Sequence, residues 1–527
     1  VENIRKFYSF LNVEKKTKKI ALLIFGLANL IALLFTRQWH LTTLIAFILG
    51  NITLLVSMVY LLFVYQTSQH IDQVPEEKTH RFYRTSSIIL TLAMLFVPFF
   101  FMVKVPFSVH NWDFFVLFEN TSFLKGQTFD HLPATENQLL YFLRYPNNQF
   151  FAILQNTLFA KTTSVLAKII WMTGLSSVLT TISVMAGSLT MKKLASEKLA
   201  LLYNLAAFAF MPFYMYGAQF YTDTASIPFT ICGLLFLVYG LQAKTIKKEI
   251  LWYVLACLIM FFGYNIKPTV TFPLIALFGF FVLNKKWKKI ALLLPIALLT
   301  FYGTHQYVKS VVSSDPAFTQ AANNRYNLPL MHWVTMSFAP GNYSGGFDPA
   351  VLAYSEQFPS KAEKQAADIR LFQENLKKQG FFGIIFQLGR KISYTWLNGD
   401  LRDYFYTYQH MNPILYHYFD WMNDRSIGSH AGNILNRWGQ SLLWFPLVFF
   451  MWYEIYLSLF KNWKTYWFIL ALSMVGLTGF LLIWEANSRY LYNFAPIMII
   501  LAVKGLMDYS NMRRQKKGIG LKNEVIK

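Results

Sequence analysis

Phe272-Pro-Leu-Ile-Ala-Leu-Phe-Gly-Phe-Phe-Val-Leu-Asn-Lys-Lys-Trp-Lys-Lys-Ile-Ala-Leu-Leu-Leu294 joins two apolar runs through a knot of four lysines, Lys285, Lys286, Lys288 and Lys289. A run of roughly twenty apolar residues is what an α-helix needs to cross a bilayer, and short basic connections mark the cytoplasmic ends of such helices. The pattern recurs along the chain. Of the 527 residues 55% are hydrophobic and only 14% charged, with a mean hydropathy of +0.35. A soluble chain would carry about a quarter charged residues. The expected fold is therefore an all-α polytopic membrane protein with about 12 spans, near 20–36, 41–65, 86–103, 163–190, 198–219, 222–242, 250–265, 268–283, 290–308, 440–460, 465–483 and 490–507.

The direction of threading follows from the cations. With a cytoplasmic N-terminus and one flip per helix, the inside receives Lys15–Lys19, Lys78/Arg81/Arg84, Lys192/Lys193/Lys198, Lys244/Lys247/Lys248 and Lys285–Lys289. It also receives Lys461/Lys464 and Arg513/Arg514/Lys516/Lys517, whereas the short outside connections hold little beyond Arg37, Lys267 and Arg489. This is the positive-inside asymmetry, and it places both termini in the cytoplasm of a cell carrying the protein in its cytoplasmic membrane. The net charge of +22 is thus spread through loops, which excludes a nucleic-acid partner and leaves membrane lipid as the partner of the basic face. Lys15–Lys19 precedes an apolar run that lacks a small-residue cleavage site, so that run reads as a retained first helix. The organisation is then 1–85 with the first two spans, 86–308 with a first outside loop at 104–162, a large outside loop at 309–438, the last spans at 439–507 and a basic tail at 508–527.

Cys232 and Cys257 lie in apolar runs without a CxxC partner and read as small buried hydrophobes. The polar residues 147–160 are too short to span, and their apolar positions suit a helix lying in the membrane interface. Within the second outside loop a helix is expected at 361–379, preceded by the turn-rich Ala339–Gly346 and followed by the aromatic, polar Lys391–Asp400.

Polar groups collect where the threading puts the outside ends of helices. They are Asp113 in Val109-His-Asn-Trp-Asp-Phe-Phe115, the run Tyr145-Pro-Asn-Asn148, Tyr221-Thr-Asp223, Lys267-Pro268 and Glu485-Ala-Asn-Ser-Arg-Tyr490. Ionisable groups at the edge of the apolar slab are costly and mark functional sites. Each has a plainer reading. Asp113 and Asp223 can cap helices, Lys267 can snorkel, Glu485 and Arg489 can pair at (i, i+4), and Tyr145–Asn148 can be a turn. Their common side favours a shared cleft.

In order and sidedness these motifs resemble the GT-C glycosyltransferases, polytopic enzymes that use polyprenyl-phosphate-linked sugars, including the protein mannosyltransferase and aminoarabinose transferase branches. The resemblance covers about 86–507, which would make the helices at 20–65 an addition. It implies a GT-C-like bundle whose two large extracellular loops carry juxtamembrane helices. It also implies inverting transfer of a glycosyl unit from an undecaprenyl-phosphate-type carrier to a cell-envelope glycan, teichoic acid or glycolipid. Asp113 would be the general base, Arg489 and Lys267 would contact phosphate, and Glu485 would orient Arg489 or meet sugar hydroxyls. Tyr145, Asn147, Asn148, Asp223 and Tyr490 would complete the substrate site. Many relatives carry an acidic pair in the first loop where this chain has Asp113-Phe114. With no Asp-x-Asp and no histidine cluster of metal spacing, a metal-independent site is expected, or one whose divalent metal is held by acids scattered in sequence. The same fold would also suit a ligase moving a preassembled polymer from a pyrophosphate-linked carrier to a glycolipid anchor. A transporter or flippase of lipid-linked saccharide fits less well, because the charges avoid the midplane.

Overall fold

A computed structural model of the chain describes residues 74–101, 113–342, 344–402 and 427–516, with scattered single residues between 26 and 68. The spans expected at 20–36 and 41–65, the approach to Asp113 through Trp112, and the end of the basic tail lie outside the described residues. Every regular element among the described residues is helical. In chain order these are α1 Glu76–Phe96, α2 Asp113–Leu124, α3 Leu139–Arg144, α4 Pro146–Phe159, α5 Val165–Leu194, α6 Glu197–Ala209, α7 Pro212–Gly217, α8 Thr222–Leu241 and α9 Ile246–Tyr264. They continue with α10 Phe272–Leu283, α11 Trp287–Ser313, α12 Gln320–Tyr326, α13 Leu330–Ser337, α14 Pro349–Glu356, α15 Lys361–Trp396, α16 Ile427–Phe460, α17 Trp467–Ile483 and α18 Ala495–Lys516.

Among the described residues six stretches are long and apolar enough to cross a membrane: Glu76–Phe101, Val165–Leu194, Thr222–Leu241, Trp287–Ser313, Leu442–Phe460 and Ser488–Gln515. Pro268–Leu283 and Trp467–Ile483 are shorter apolar helices. The protein is an all-α polytopic membrane protein. Its starts are written in the sequence: Ser164, Ser196, Thr245 and Ser360 each accept a backbone N–H from the first turn of α5, α6, α9 and α15. The run expected as one helix at 198–219 is broken between Ala209 and Pro212, since proline has no N–H for a preceding turn.

The stretch Ser488–Gln515 is 94% buried over its apolar window and forms the axis, whereas Trp287–Ser313 is 11% buried and lies at the edge. α18 packs along α16, α8 along α5 and α9, α9 along α11, α1 along α6 and α10 along α17. Small residues allow the closest approaches. A Cβ at Gly240 would strike the Tyr253 ring, and one at Gly505 the Phe450 carbonyl. Outward residues of α11 such as Leu298 and Leu299 are exposed, as lipid-facing side chains must be.

One end of the bundle carries the basic connections, where Lys289 pairs with Glu249 at 2.6 Å and Lys192 with Glu197 at 2.6 Å. The loop helices pack over the opposite end around a second apolar core that includes Phe115, Phe118, Phe129, Phe142 and Phe151. The two loops are tied directly. Asp315 accepts the Phe129 N–H at 3.0 Å, and Arg144 pairs with Glu356. The helix expected within 147–160 forms, and part of its apolar side meets protein: Phe150 and Phe151 are buried in the loop core, with Gln155 and Asn156 buried as well. The helix expected at 361–379 continues to Trp396 after a break at Gly380, whose φ of 64° a glycine adopts without strain.

Candidate active site

Helix ends that are far apart in the chain meet beneath the loop core. The start of α8 brings Tyr221 and Asp223, the end of α9 leads into Lys267, and the segment between α17 and α18 brings Glu485, Arg489 and Tyr490. Asp113 opens α2 and faces them. Its Oδ1 accepts the Tyr141 hydroxyl at 2.7 Å and its Oδ2 accepts the Tyr221 hydroxyl at 2.8 Å. Arg489 Nη2 lies 3.9 Å from the same Oδ2. Asn148 donates to the Tyr141 oxygen at 2.7 Å, so the first loop holds the orientation of that phenol.

Asp223 is not used as a helix cap. Its side chain is 3% exposed and lies between two cations, pairing with Lys267 through Oδ1 and with Arg489 Nε at 3.2 Å through Oδ2. Lys267 therefore does not snorkel to water; it stacks over the Tyr490 ring at 4.8 Å. The Arg489 guanidinium lies 5.4 Å from the Tyr221 ring centre and 5.7 Å from that of Tyr490. Glu485 accepts the Tyr490 hydroxyl at 3.0 Å. Of the two aspartates, Asp223 is consumed by its cations, while 38% of the Asp113 side chain remains exposed. Tyr145 is half-buried, with its ring 5.0 Å from that of Tyr141. Asn147 is exposed and donates to Asn148 at 3.2 Å.

Burial sets the electrostatics. It pushes the Glu485 carboxyl up to about 7, helped by Asp113 and opposed by the Tyr490 hydroxyl and Arg489. It pushes Lys267 down, while the Asp223 charge works to keep it protonated. Burial first, then the Asp113 carboxylate, pushes the phenols of Tyr141 and Tyr221 well up, so both remain donors to Asp113. Among the described residues no group of three or more His, Cys, Asp or Glu side chains is placed to hold a metal ion.

The structure therefore brings Asp113, Asp223, Lys267, Arg489, Glu485 and Tyr490 together, with Tyr145 and Asn148 on the flank. It adds groups that were not chosen from the sequence. Tyr141 carried no local signal, being one aromatic residue among several. Tyr221 lay inside a quoted motif, but only the fold aims its hydroxyl at Asp113. Lys391 is 1% exposed and donates to Ser337 Oγ at 2.9 Å and to the Trp484 carbonyl at 2.8 Å, bolting the backbone just ahead of Glu485. Burial brings its ammonium down to about 7 against the pull of Glu485. In the sequence it opens the aromatic, polar stretch Lys391–Asp400, four residues after Gln387.

Comparison with known proteins places the chain in a family. The model of the family described as conserved hypothetical integral membrane protein matches residues 11–508. No curated protein of similar sequence was found. Among solved structures, the apo oligosaccharyltransferase of Archaeoglobus fulgidus aligns with 13% identity and a TM-score of 0.40, over 84% of this chain and 52% of that one. The oligosaccharyltransferase AglB of the same organism, in complex with an inhibitory peptide and a dolichol-phosphate, aligns with 11% identity and a TM-score of 0.40, over 85% and 53%. The chain spans about half the length of these structures.

Proposed function

We propose that this chain, which belongs to that integral membrane family, is a GT-C-type glycosyltransferase. It would move a glycosyl unit from an undecaprenyl-phosphate-type carrier to a cell-envelope acceptor, on the membrane face opposite the basic loops. The observation that supports this best is a partly exposed carboxylate, Asp113, beside Arg489, in a site where Asp223 holds both Arg489 and Lys267 in place. An acceptor hydroxyl is a poor nucleophile. In this reading Asp113 takes its proton as the new glycosidic bond forms, a contribution of about 10²–10⁴ in rate. The carrier phosphate departs with the electrons of the broken bond, and its growing charge meets Arg489 and Lys267.

Asp223 offsets part of the charge of both cations. A dianionic leaving group is accommodated best when Glu485 is protonated, which its shift to about 7 permits near neutrality. Tyr141 and Tyr221 hold the base in place, and Tyr145 and Asn148 line the approach. Metal-independent chemistry is part of this proposal and is open to direct test by chelation.

The deciding experiment is Asp113→Asn, assayed in membranes for transfer from a lipid-linked sugar to an envelope acceptor. Transfer should fall by a factor of about 10² or more, with the amount of folded protein unchanged. Near-normal transfer refutes the base assignment. Product size in the same assay separates single-sugar transfer from movement of a preassembled polymer.

A further inference from the structure

After the break at Gly380, α15 has two unlike faces. Gln387, Lys391 and Thr395, spaced four apart, are buried against the protein. The opposite arc presents Phe381 and Phe382, each 72% exposed, Ile385 at 48%, and Phe386 and Ile392 at 44%. At 100° per residue these five side chains fall within one stripe, the geometry of an amphipathic helix with its apolar side outward. An exposed stripe of this size calls for a covering partner.

The inner face fixes the level of the helix. Lys391 donates to the carbonyl of Trp484, the residue that follows α17. Ser337, which Lys391 also contacts, donates to the Ile483 carbonyl at the end of α17. Farther along, the Trp444 indole donates to the Trp396 carbonyl at 2.6 Å, and Trp444 begins the third residue of the span Leu442–Phe460. The helix therefore packs beside the end of the apolar helix α17 and the start of the span Leu442–Phe460. Ile483 at the end of α17 is exposed as well, and the exposed Lys377, Lys378 and Arg390 flank the stripe along the chain. Cations flanking an apolar face at the membrane boundary suit lipid headgroups.

We infer that the outer face of Phe381–Trp396 is embedded in the lipid leaflet at the candidate-site end of the bundle, with acyl chains as its covering partner. This assignment is independent of the proposed chemistry. The full chain in phosphatidylglycerol–phosphatidylethanolamine proteoliposomes would carry a nitroxide on Phe382→Cys, on Phe386→Cys, or on Glu374→Cys in the polar half of α15. The same treatment of the parent sets the background from Cys232 and Cys257. Collision of the label with oxygen, which partitions into lipid, is compared with collision with a water-soluble nickel chelate.

Oxygen should dominate by at least about threefold at positions 382 and 386, and the chelate should dominate at 374. Free access of the chelate at 382 or 386 overturns the inference in favour of a water-facing helix. Exclusion of both probes overturns it in favour of a protein cover, such as a second copy of the chain. Either position alone decides if the other variant fails to fold.

Discussion

Replacing Asp223 by asparagine would remove the one negative charge that lies between two buried cations. The Asp223, Lys267 and Arg489 side chains are only 3%, 14% and 7% exposed. Breaking a buried ion pair by deleting one partner costs about 3–5 kcal/mol, because the remaining charge is left desolvated. Two contacts reduce that figure here. Arg489 keeps Asp113 at 3.9 Å, and Lys267 keeps the Tyr490 ring at 4.8 Å, a cation–π contact worth about 0.5–2 kcal/mol. The expected loss for Asp223→Asn is therefore about 2–4 kcal/mol. It is measurable as a shift in the unfolding transition when purified protein in mild-detergent micelles is titrated with dodecyl sulfate. Lys267→Met in the same background removes the stranded cation, so the double variant should recover at least about 1 kcal/mol relative to the sum of the single losses. If Asp223→Asn lies within about 0.5 kcal/mol of the parent, or the two losses simply add, the buried-pair account of this site is wrong.

The Glu485 carboxyl, raised to about 7 in the folded protein, has an ordinary value near 4.3 when unfolded. The folded state therefore binds the extra proton more tightly, and its stabilising effect is complete below the ordinary carboxylate value and lost as pH rises through about 7. The thermal midpoint of the parent should fall from pH 5 to 8 (about the range just given), and Glu485→Gln should flatten that slope; an unchanged slope would assign the pH dependence elsewhere. Tyr141→Phe and Tyr221→Phe each remove a hydrogen bond to a carboxylate, worth about 1.5–3 kcal/mol, so transfer should slow by a factor of roughly 10–10² in either variant. Tyr141→Phe should also lower the thermal midpoint more, because Asn148 loses its acceptor as well; equal midpoints would show that the Asn148 contact contributes nothing.

Much of the architecture was readable in advance because bilayer thickness is a local criterion. It acts on about twenty consecutive residues at a time, so stretches such as Val165–Leu194 and Thr222–Leu241 announce themselves without knowledge of their neighbours. The chain alone is silent where burial depends on a partner distant in sequence. Phe150 meets Phe262 of α9, Phe151 meets Phe220 and Tyr221 ahead of α8, Gln155 reaches Met172 of α5, and Asn156 bonds the backbone of Gly126 and Gln127. In Phe381–Trp396 Gln387 and Lys391 interrupt the apolar pattern, and only their bonds to Ser337, Asn342 and Trp484 show that these polar groups face inward.

At the candidate site the residue types were legible and their pairings were not. An acid or cation at the edge of an apolar run is conspicuous by its desolvation cost alone, which is why Asp113, Asp223, Lys267, Glu485 and Arg489 could be named from the sequence. The plainer readings of Asp223 as a cap, Lys267 as a snorkel and Glu485–Arg489 as a helical pair gave way because hydrogen bonds are settled by distance in space. Asp223 found Lys267 across 44 residues, and Asp113 found Tyr221 across 108. The sequence by itself determined that the protein is an integral membrane bundle and which polar residues sit at the margins of its spans. Only the tertiary structure decided that Asp223 is locked between cations while Asp113 stays open to solvent, because that difference depends on which helix ends converge.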